Sequence, residues 1–213
     1  MVLAACAPVQ AGAAATVGSQ RISTSSLDTQ VSNLQTAGKA YGSTYTLTAT
    51  TAPQAVLSWL IRFSIMDQVA ASNDITVTEA QTNAALSSLS SVATQNGYSS
   101  TTELLVANGV PPQLFPELGQ WEAQQDLYAV KQNGGKEPTT TAEQTAYTTS
   151  LNKSECTAAK SLNIMVSPQY GRFDYSTAST AKTGQSVVDA PDTLSRPPGV
   201  PKPASTEGLT PPC

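Results

Sequence analysis

The sequence predicts a mainly α-helical protein with one folded domain of five to six helices. Apolar residues recur at helical spacing through most of the middle of the chain. The Ser/Thr-x-x-Glu pattern of a capping box occurs at Thr76, Ser100 and Thr140, and it marks helix starts. Two Asn-Gly pairs, at 96–97 and 108–109, follow apolar segments and indicate helix ends. The chain of 213 residues is long enough for one such core.

The first predicted elements are a short strand over residues 16–22 and a helix of about three turns that contains Leu27 and Leu34. The next helix, over 53–71, is apolar on nearly all sides, so it must be surrounded by protein and form the core. We expect Leu60 to be one of its buried residues.

Between these two helices, Tyr45, Leu47 and Ala49 alternate with polar residues. This pattern is compatible with either a loop or a weak strand.

Four further helices follow, and they begin near Thr76, Ser100, Pro111 and Thr140. The third of these is long, and we expect its Gln124 to contribute little to stability. After the last helix, Ile164, Met165 and Val166 form a run that is typical of a strand.

Composition excludes several classes of function. The net charge is −4, so the chain offers no basic surface for nucleic acid. It contains no histidine, which excludes Ser/His/Asp and Cys/His catalytic arrangements. The three cysteines lack the spacing of a zinc site, and no phosphate-binding glycine motif is present. We therefore expect no metal, no cofactor, no nucleic acid and no enzymatic activity.

Some acidic and aromatic residues allow two interpretations. Glu117, Glu122 and Asp126 lie on one predicted helix, where a solvated face is a simpler explanation than paired acid–base catalysis. Trp59 and Trp121 fit either the core or a peptide-binding cleft, and we favour the core.

The run Leu3-Ala4-Ala5-Cys6 resembles a bacterial lipobox. The resemblance implies an exported protein whose Cys6 carries a diacylglycerol and holds the chain at the outer face of the cytoplasmic membrane. We expect a signal peptide that starts upstream of Met1, and a flexible tether that follows the lipobox, so that the two together make up residues 1–15. The alternative is a cysteine that occurs by chance in an alanine-rich segment.

Two further stretches resemble SurA-like and PrsA-like extracytoplasmic chaperones. The first includes Asn96-Gly97-Tyr98 and Asn108-Gly109-Val110, each next to a predicted helix. The second, Val166-Ser167-Pro168-Gln169-Tyr170-Gly171-Arg172-Phe173-Asp174, is similar to a segment of actinobacterial SurA-like lipoproteins, from which Ser167 and Gln169 depart. The resemblance places a SurA N-terminal-like domain at residues 16–175.

The resemblance implies a fold and a function. The N-terminal strand would pair with the strand that returns after the last helix, so that Val17 and Ile22 lie near Ile164 and Val166. We expect Gly171 to supply a turn in the second motif, and Tyr170 and Phe173 to cover the core. Many relatives carry an inserted parvulin prolyl isomerase domain that this chain lacks between the last helix and Ile164.

The resemblance leads to two hypotheses. In the first, the domain binds unfolded or exported polypeptides as a chaperone without isomerase activity, through Phe115, Trp121 and Tyr128 as exposed anchors. In the second, the chain is a structural or adaptor lipoprotein for one specific partner. A large exposed apolar patch favours the first hypothesis.

Residues 176–213 are rich in Pro, Ser and Thr, and we expect a disordered tail. An oxidising compartment would allow a disulfide between Cys156 and Cys213 that attaches the tail to the last helix. Alternatively, Cys156 is a small buried hydrophobic residue, and Cys213 is free or pairs with another molecule.

Overall fold

The computed structural model describes residues 11–173 in full and the backbone of residues 174, 179–182 and 185–186. Helices dominate, and a small antiparallel sheet joins the two ends of the domain, which confirms the predicted mainly α fold. The six α-helices of the described residues are α1 Thr24–Gly38, α2 Ala52–Ser72, α3 Glu79–Gln95, α4 Thr101–Ala107, α5 Phe115–Gln132 and α6 Thr141–Leu162. Single 3-10 helices span Lys39–Thr44, Pro112–Leu114 and Pro168–Tyr170. The strands are β1 Ala13–Val17, β2 Gln20–Ser23, β3 Met165–Val166, β4 Arg172–Asp174, β5 Ser179–Lys182 and β6 Gln185–Ser186.

The first sheet has the order β2-β1-β3, and β1 is antiparallel to both neighbours. Ala15 pairs with Val166 and Thr16 pairs with Met165, so the strand that follows α6 returns to the N-terminal strand. The predicted pairing of the two ends is confirmed.

The predicted tether extends too far along the chain. Ala13, Ala14 and Ala15 belong to β1 and are buried, with at most 4% of each side chain exposed. Alanine fits there because β1 is the central strand, and a small side chain lets its backbone lie against the helices. The folded domain therefore begins before residue 16.

The predicted tail also overlaps regular structure. The backbone of β5 pairs with β4 and β6 to form a second antiparallel sheet, and β5 packs against α2. Residues 179–182 and 185–186 are thus strands, because the edge of β4 pairs with β5 and the other edge of β5 pairs with β6. The rest of the tail lies outside the described residues.

α2 forms the centre of the core, as predicted. Twelve of its residues are buried, and they face in nearly all directions around the helix. Trp59 lies edge-on to Trp121 of α5, with 5.5 Å between ring centroids, and its indole nitrogen donates a hydrogen bond to the Asn108 carbonyl (2.9 Å). Both tryptophans are therefore core residues, and they connect α2 to α5 and to the end of α4.

The prediction that Leu60 is a buried residue was wrong, and Gln124, which we expected to contribute little to stability, is buried. Leu60 is only half-buried, whereas Gln124 is 5% exposed and donates a hydrogen bond to Asp67 of α2 (2.8 Å). α5 contacts α2, α3 and α6, so a polar residue on it is buried whenever it points toward any of the three.

Helix ends follow local sequence signals closely. Asn73, Asn96 and Asn108 are C-caps, and each donates a side-chain hydrogen bond to the carbonyl four residues earlier. Thr140 forms the predicted capping box, but the box of α3 begins at Thr78 rather than at Thr76. At Ser100 only half of the box forms, because the Glu103 carboxylate accepts from the Ser99 backbone instead.

We predict that Leu57→Ala lowers the free energy of unfolding by about 2–5 kcal/mol, because Leu57 is 1% exposed and its loss leaves a cavity in the core. Leu60→Ala, a matched change on the same helix, should cost less than half as much. Urea unfolding followed by circular dichroism measures both values. Equal losses would contradict this assignment of the core.

Candidate functional site

The predicted anchors are not all exposed. Trp121 is 4% exposed and Tyr128 is 2% exposed, so the prediction that they are exposed anchors was wrong. Both lie on sides of α5 that other helices cover: Trp121 packs against Trp59, and Tyr128 lies near Tyr147 of α6. Phe115, at the start of α5, is half-buried and keeps an exposed surface.

The Tyr128 hydroxyl attaches α6 to α5. It lies 2.9 Å from the Ser150 hydroxyl and 2.7 Å from the Ser154 hydroxyl, both on α6. Next to this network is a small cavity of about 160 Å³, lined by Tyr147, Glu143, Ser150 and the C-terminal end of α5. Its size suits water or one small group rather than a folded partner.

α5 also carries polar groups that its neighbours do not satisfy. The Trp121 indole nitrogen, one Glu122 carboxylate oxygen and the Gln125 amide nitrogen are buried without a hydrogen-bond partner among the residues that the structure describes. Glu122 is 8% exposed, so its predicted place on a solvated face was wrong, whereas Glu117 is exposed as predicted. Buried water would satisfy such groups in a folded protein.

Burial changes the acidity of these carboxyl groups. It raises the pKa of Glu122 well above the usual value, and the Asp126 carboxylate one turn away raises it further. Asp126 is exposed, as predicted, but partial desolvation by the neighbouring helices, with the charge of Glu137, raises its pKa to about 6. On α6, burial raises the pKa of Glu155 to about 7, and the Arg62 guanidinium opposes this shift.

Raised carboxyl pKa values accompany catalysis in many enzymes, but Glu122 is buried and Glu155 is half-buried against neighbouring helices. The Tyr128 hydroxyl bonds to both Ser150 and Ser154 and so joins α5 to α6. Within the described part of the chain, no group of three or more acidic, cysteine or histidine residues is placed to hold a metal ion. The arrangement makes the α5–α6 packing sensitive to pH.

A second region has apolar side chains that are only half-buried. Tyr41, Tyr45 and Leu47 follow α1, are half-buried and pack against the core from outside. The alternation of Tyr45 and Leu47 was visible in the sequence, but it did not show what they pack against.

A third group of half-buried residues lies along α3 and α5. Leu86 of α3 packs over Gly119, one helical turn after Phe115. A Cβ atom at Gly119 would lie 2.6 Å from Leu86 Cγ and 2.9 Å from the Thr82 carbonyl, so the two helices approach as closely as glycine allows. This seam presents apolar surface around Phe115.

The motif at residues 166–174 has the architecture that we predicted. Gly171 has φ +111°, which a non-glycine residue rarely adopts, and it turns the chain into β4. Phe173 is buried and Tyr170 packs on the core at half-burial. The motif therefore closes the sheet end of the domain.

Cys156 is 4% exposed on α6 and is disulfide-bonded. The chain has two other cysteines, Cys6 and Cys213, and both lie outside the described residues. The pairing with Cys213 and the lipid on Cys6 stay predictions.

The fold and the sequence place this chain in a known family. The family described as the SurA-like N-terminal domain matches residues 5–118, more than half of the chain, and the protein belongs to it. The match runs from before β1 to the first turn of α5. Neither the curated proteins nor the solved structures contain a significant match. Among the described residues, no helix is long and apolar enough to cross a membrane.

We predict that the domain is more stable at pH 5 than at pH 8. Glu155 has a raised pKa, so the folded state binds a proton that the unfolded chain has already lost, and stability falls as pH rises to about 7. Asp126 shifts in the same direction but contributes less, because its side chain is exposed and water screens the interaction. Below about pH 4 the trend should reverse, because hydrogen bonds from Thr140 and Thr139 lower the pKa of Glu143 to about 2.

Thermal and urea unfolding between pH 4 and pH 8 test this prediction. Glu155→Gln should reduce the difference in the free energy of unfolding between pH 5 and pH 8 by on the order of 1–3 kcal/mol. Glu117→Gln, a change at an exposed carboxylate of α5, should leave this difference unchanged. A stability that is flat from pH 5 to pH 8 would contradict the prediction.

We also predict that Cys156 bonds to Cys213 and attaches the end of the chain to α6. Closing a loop of this length contributes on the order of 4 kcal/mol in the chain-entropy model, part of which reaches the domain. Peptide mapping by mass spectrometry without reduction should find one peptide pair that contains both residues. A pair that contains Cys6 instead would refute the assignment.

Proposed function

We propose that the protein is an extracytoplasmic lipoprotein whose SurA-like domain binds unfolded or newly exported polypeptides as a chaperone. Membership of the SurA-like family carries this proposal, since it is a chaperone-type family. Two half-buried apolar regions support it: the segment with Tyr41, Tyr45 and Leu47, and the seam around Phe115. Each offers a shallow apolar contact from which a client can leave again.

In this proposal the protein acts by binding alone. α6 ends at Leu162 and β3 begins at Met165, so no isomerase domain is inserted between them. The chain also has no histidine for a parvulin-type site. Transient burial of apolar client segments needs neither nucleotide nor metal.

The test is suppression of aggregation. The purified protein, added in several-fold excess to chemically unfolded citrate synthase, should lower light scattering during dilution. Phe115→Ser should weaken the effect, while Gln113→Ser, an exposed neighbour, should leave it unchanged. Unaltered scattering at every ratio would reject the chaperone proposal and favour an adaptor for one partner.

The proposal places the domain at the outer face of the cytoplasmic membrane through a lipid on Cys6. Two or more acyl chains hold a protein at a bilayer where one does not. Cys6→Ser should therefore release the protein into the medium, with an unchanged circular dichroism spectrum, because β1 and the core begin later in the chain. Retention of the variant in washed membranes would argue against the anchor.

A further inference from the structure

Residues 45–48 connect the first 3-10 helix to the turn before α2 and form no regular secondary structure. Tyr45 has an extended backbone, with φ −90° and ψ 106°. Burial alternates along this 45–48 segment: Tyr45 and Leu47 are half-buried, while Thr46 and Thr48 are exposed. The segment thus presents its side chains as an extended strand does.

Two glycines form the surface beneath the segment. The Tyr45 ring lies 2.6–2.7 Å from the point where a Cβ of Gly38 would stand, and Leu47 Cδ1 lies 3.4 Å from the corresponding point at Gly109. Gly38 is the last residue of α1, and Gly109 follows α4. We call this surface, floored by Gly38 and Gly109, the glycine groove.

Backbone hydrogen bonds hold the 45–48 segment only at its two ends. The Tyr45 amide donates to the Gly42 carbonyl (3.3 Å), and the Thr48 carbonyl accepts from the amide of the first residue of α2 (2.9 Å). The backbone groups of Thr46 and Leu47 make no hydrogen bond to the described residues. The Tyr45 hydroxyl is buried without a partner among those residues, and burial raises its pKa. Between the two ends only the side chains of Tyr45 and Leu47 supply the attachment, so both can leave the groove without breaking a backbone hydrogen bond of Thr46 or Leu47.

We propose that the glycine groove is a client-binding site and that the 45–48 segment is its intramolecular occupant. The client is an extended stretch of unfolded polypeptide with an aromatic side chain and, two residues later, an aliphatic one. Such a stretch presents the same surfaces as Tyr45 and Leu47, and it displaces them. This inference rests on the proposed function and gives it a location. Because the segment occupies the groove in most molecules, the apparent client affinity equals the intrinsic affinity multiplied by the fraction of molecules in which the groove is open.

The test empties the groove and then fills it. Tyr45→Ala with Leu47→Ala removes the occupant's side chains, and Gly38→Leu on that background fills the space. Thr46→Ala is the matched control, because Thr46 is exposed in the same segment. The probe is a fluorescent peptide with the sequence of residues 43–50, beside a peptide of equal composition in which Tyr and Leu are adjacent.

Fluorescence anisotropy should show that the emptied variant binds the probe at least about three-fold more tightly than the wild type. Gly38→Leu should remove this gain, and Thr46→Ala should match the wild type. The peptide with adjacent Tyr and Leu should bind more weakly. Equal affinity in all variants, or a gain that survives Gly38→Leu, would overturn the inference.

The unmodified protein gives a second measurement that does not depend on how the variants fold. Reduced, carboxymethylated α-lactalbumin that carries benzophenone groups should crosslink to α1 near Gly38 and to the chain near Gly109. Crosslinks confined to other helices would overturn the inference but leave the proposed function standing. If the protein binds the 43–50 peptide but no unfolded client, the groove is not a client site and the chaperone proposal fails as well.

Discussion

The burial of α2 on nearly all sides is the constraint on which the other elements depend. Because its apolar side chains point in most directions, α1, α5, α6, β1 and β5 all pack around it. Trp59 couples α2 to α5 through its contact with Trp121 and to the end of α4 through its hydrogen bond to Asn108, and the Arg62 guanidinium of α2 itself lies 5.8 Å from its ring. The β1–β3 pairing then closes the domain at its ends.

α5 shows the consequence of covering a moderately polar helix from several sides. Gln124 donates a hydrogen bond to Asp67, and the Tyr128 hydroxyl bonds to two serines, but one carboxylate oxygen of Glu122 has no partner among the described residues. Such groups make the packing of α5 and α6 respond to pH, and α2 takes part in this response because the guanidinium of its Arg62 opposes the raised pKa of Glu155. The groove under residues 45–48 differs from these interfaces, because apolar side chains and glycines form it.

Local signals in the sequence predicted the helices well, because an Asn-Gly stop or a Thr-x-x-Glu cap acts within one turn. Burial was harder to predict where it depends on distant partners. Ala13–Ala15 lack any periodic pattern, yet they form the central strand because Met165 and Val166 return to it. Trp121 and Tyr128 are residue types that occur in both cores and binding surfaces. Only the helices packed around α5 show that both residues lie in the core. The glycine groove has no signal in the sequence, since contact with Tyr45 and Leu47 defines it.

Native-state hydrogen exchange of the wild-type protein is the most direct test of this account, because it compares the stability of every element at once. The amides of α2 should exchange last, with the free energy of global unfolding, while those of Thr46 and Leu47 should exchange at nearly the rate of an unfolded chain. Amides of α2 that exchange well before global unfolding would contradict the central role of this helix.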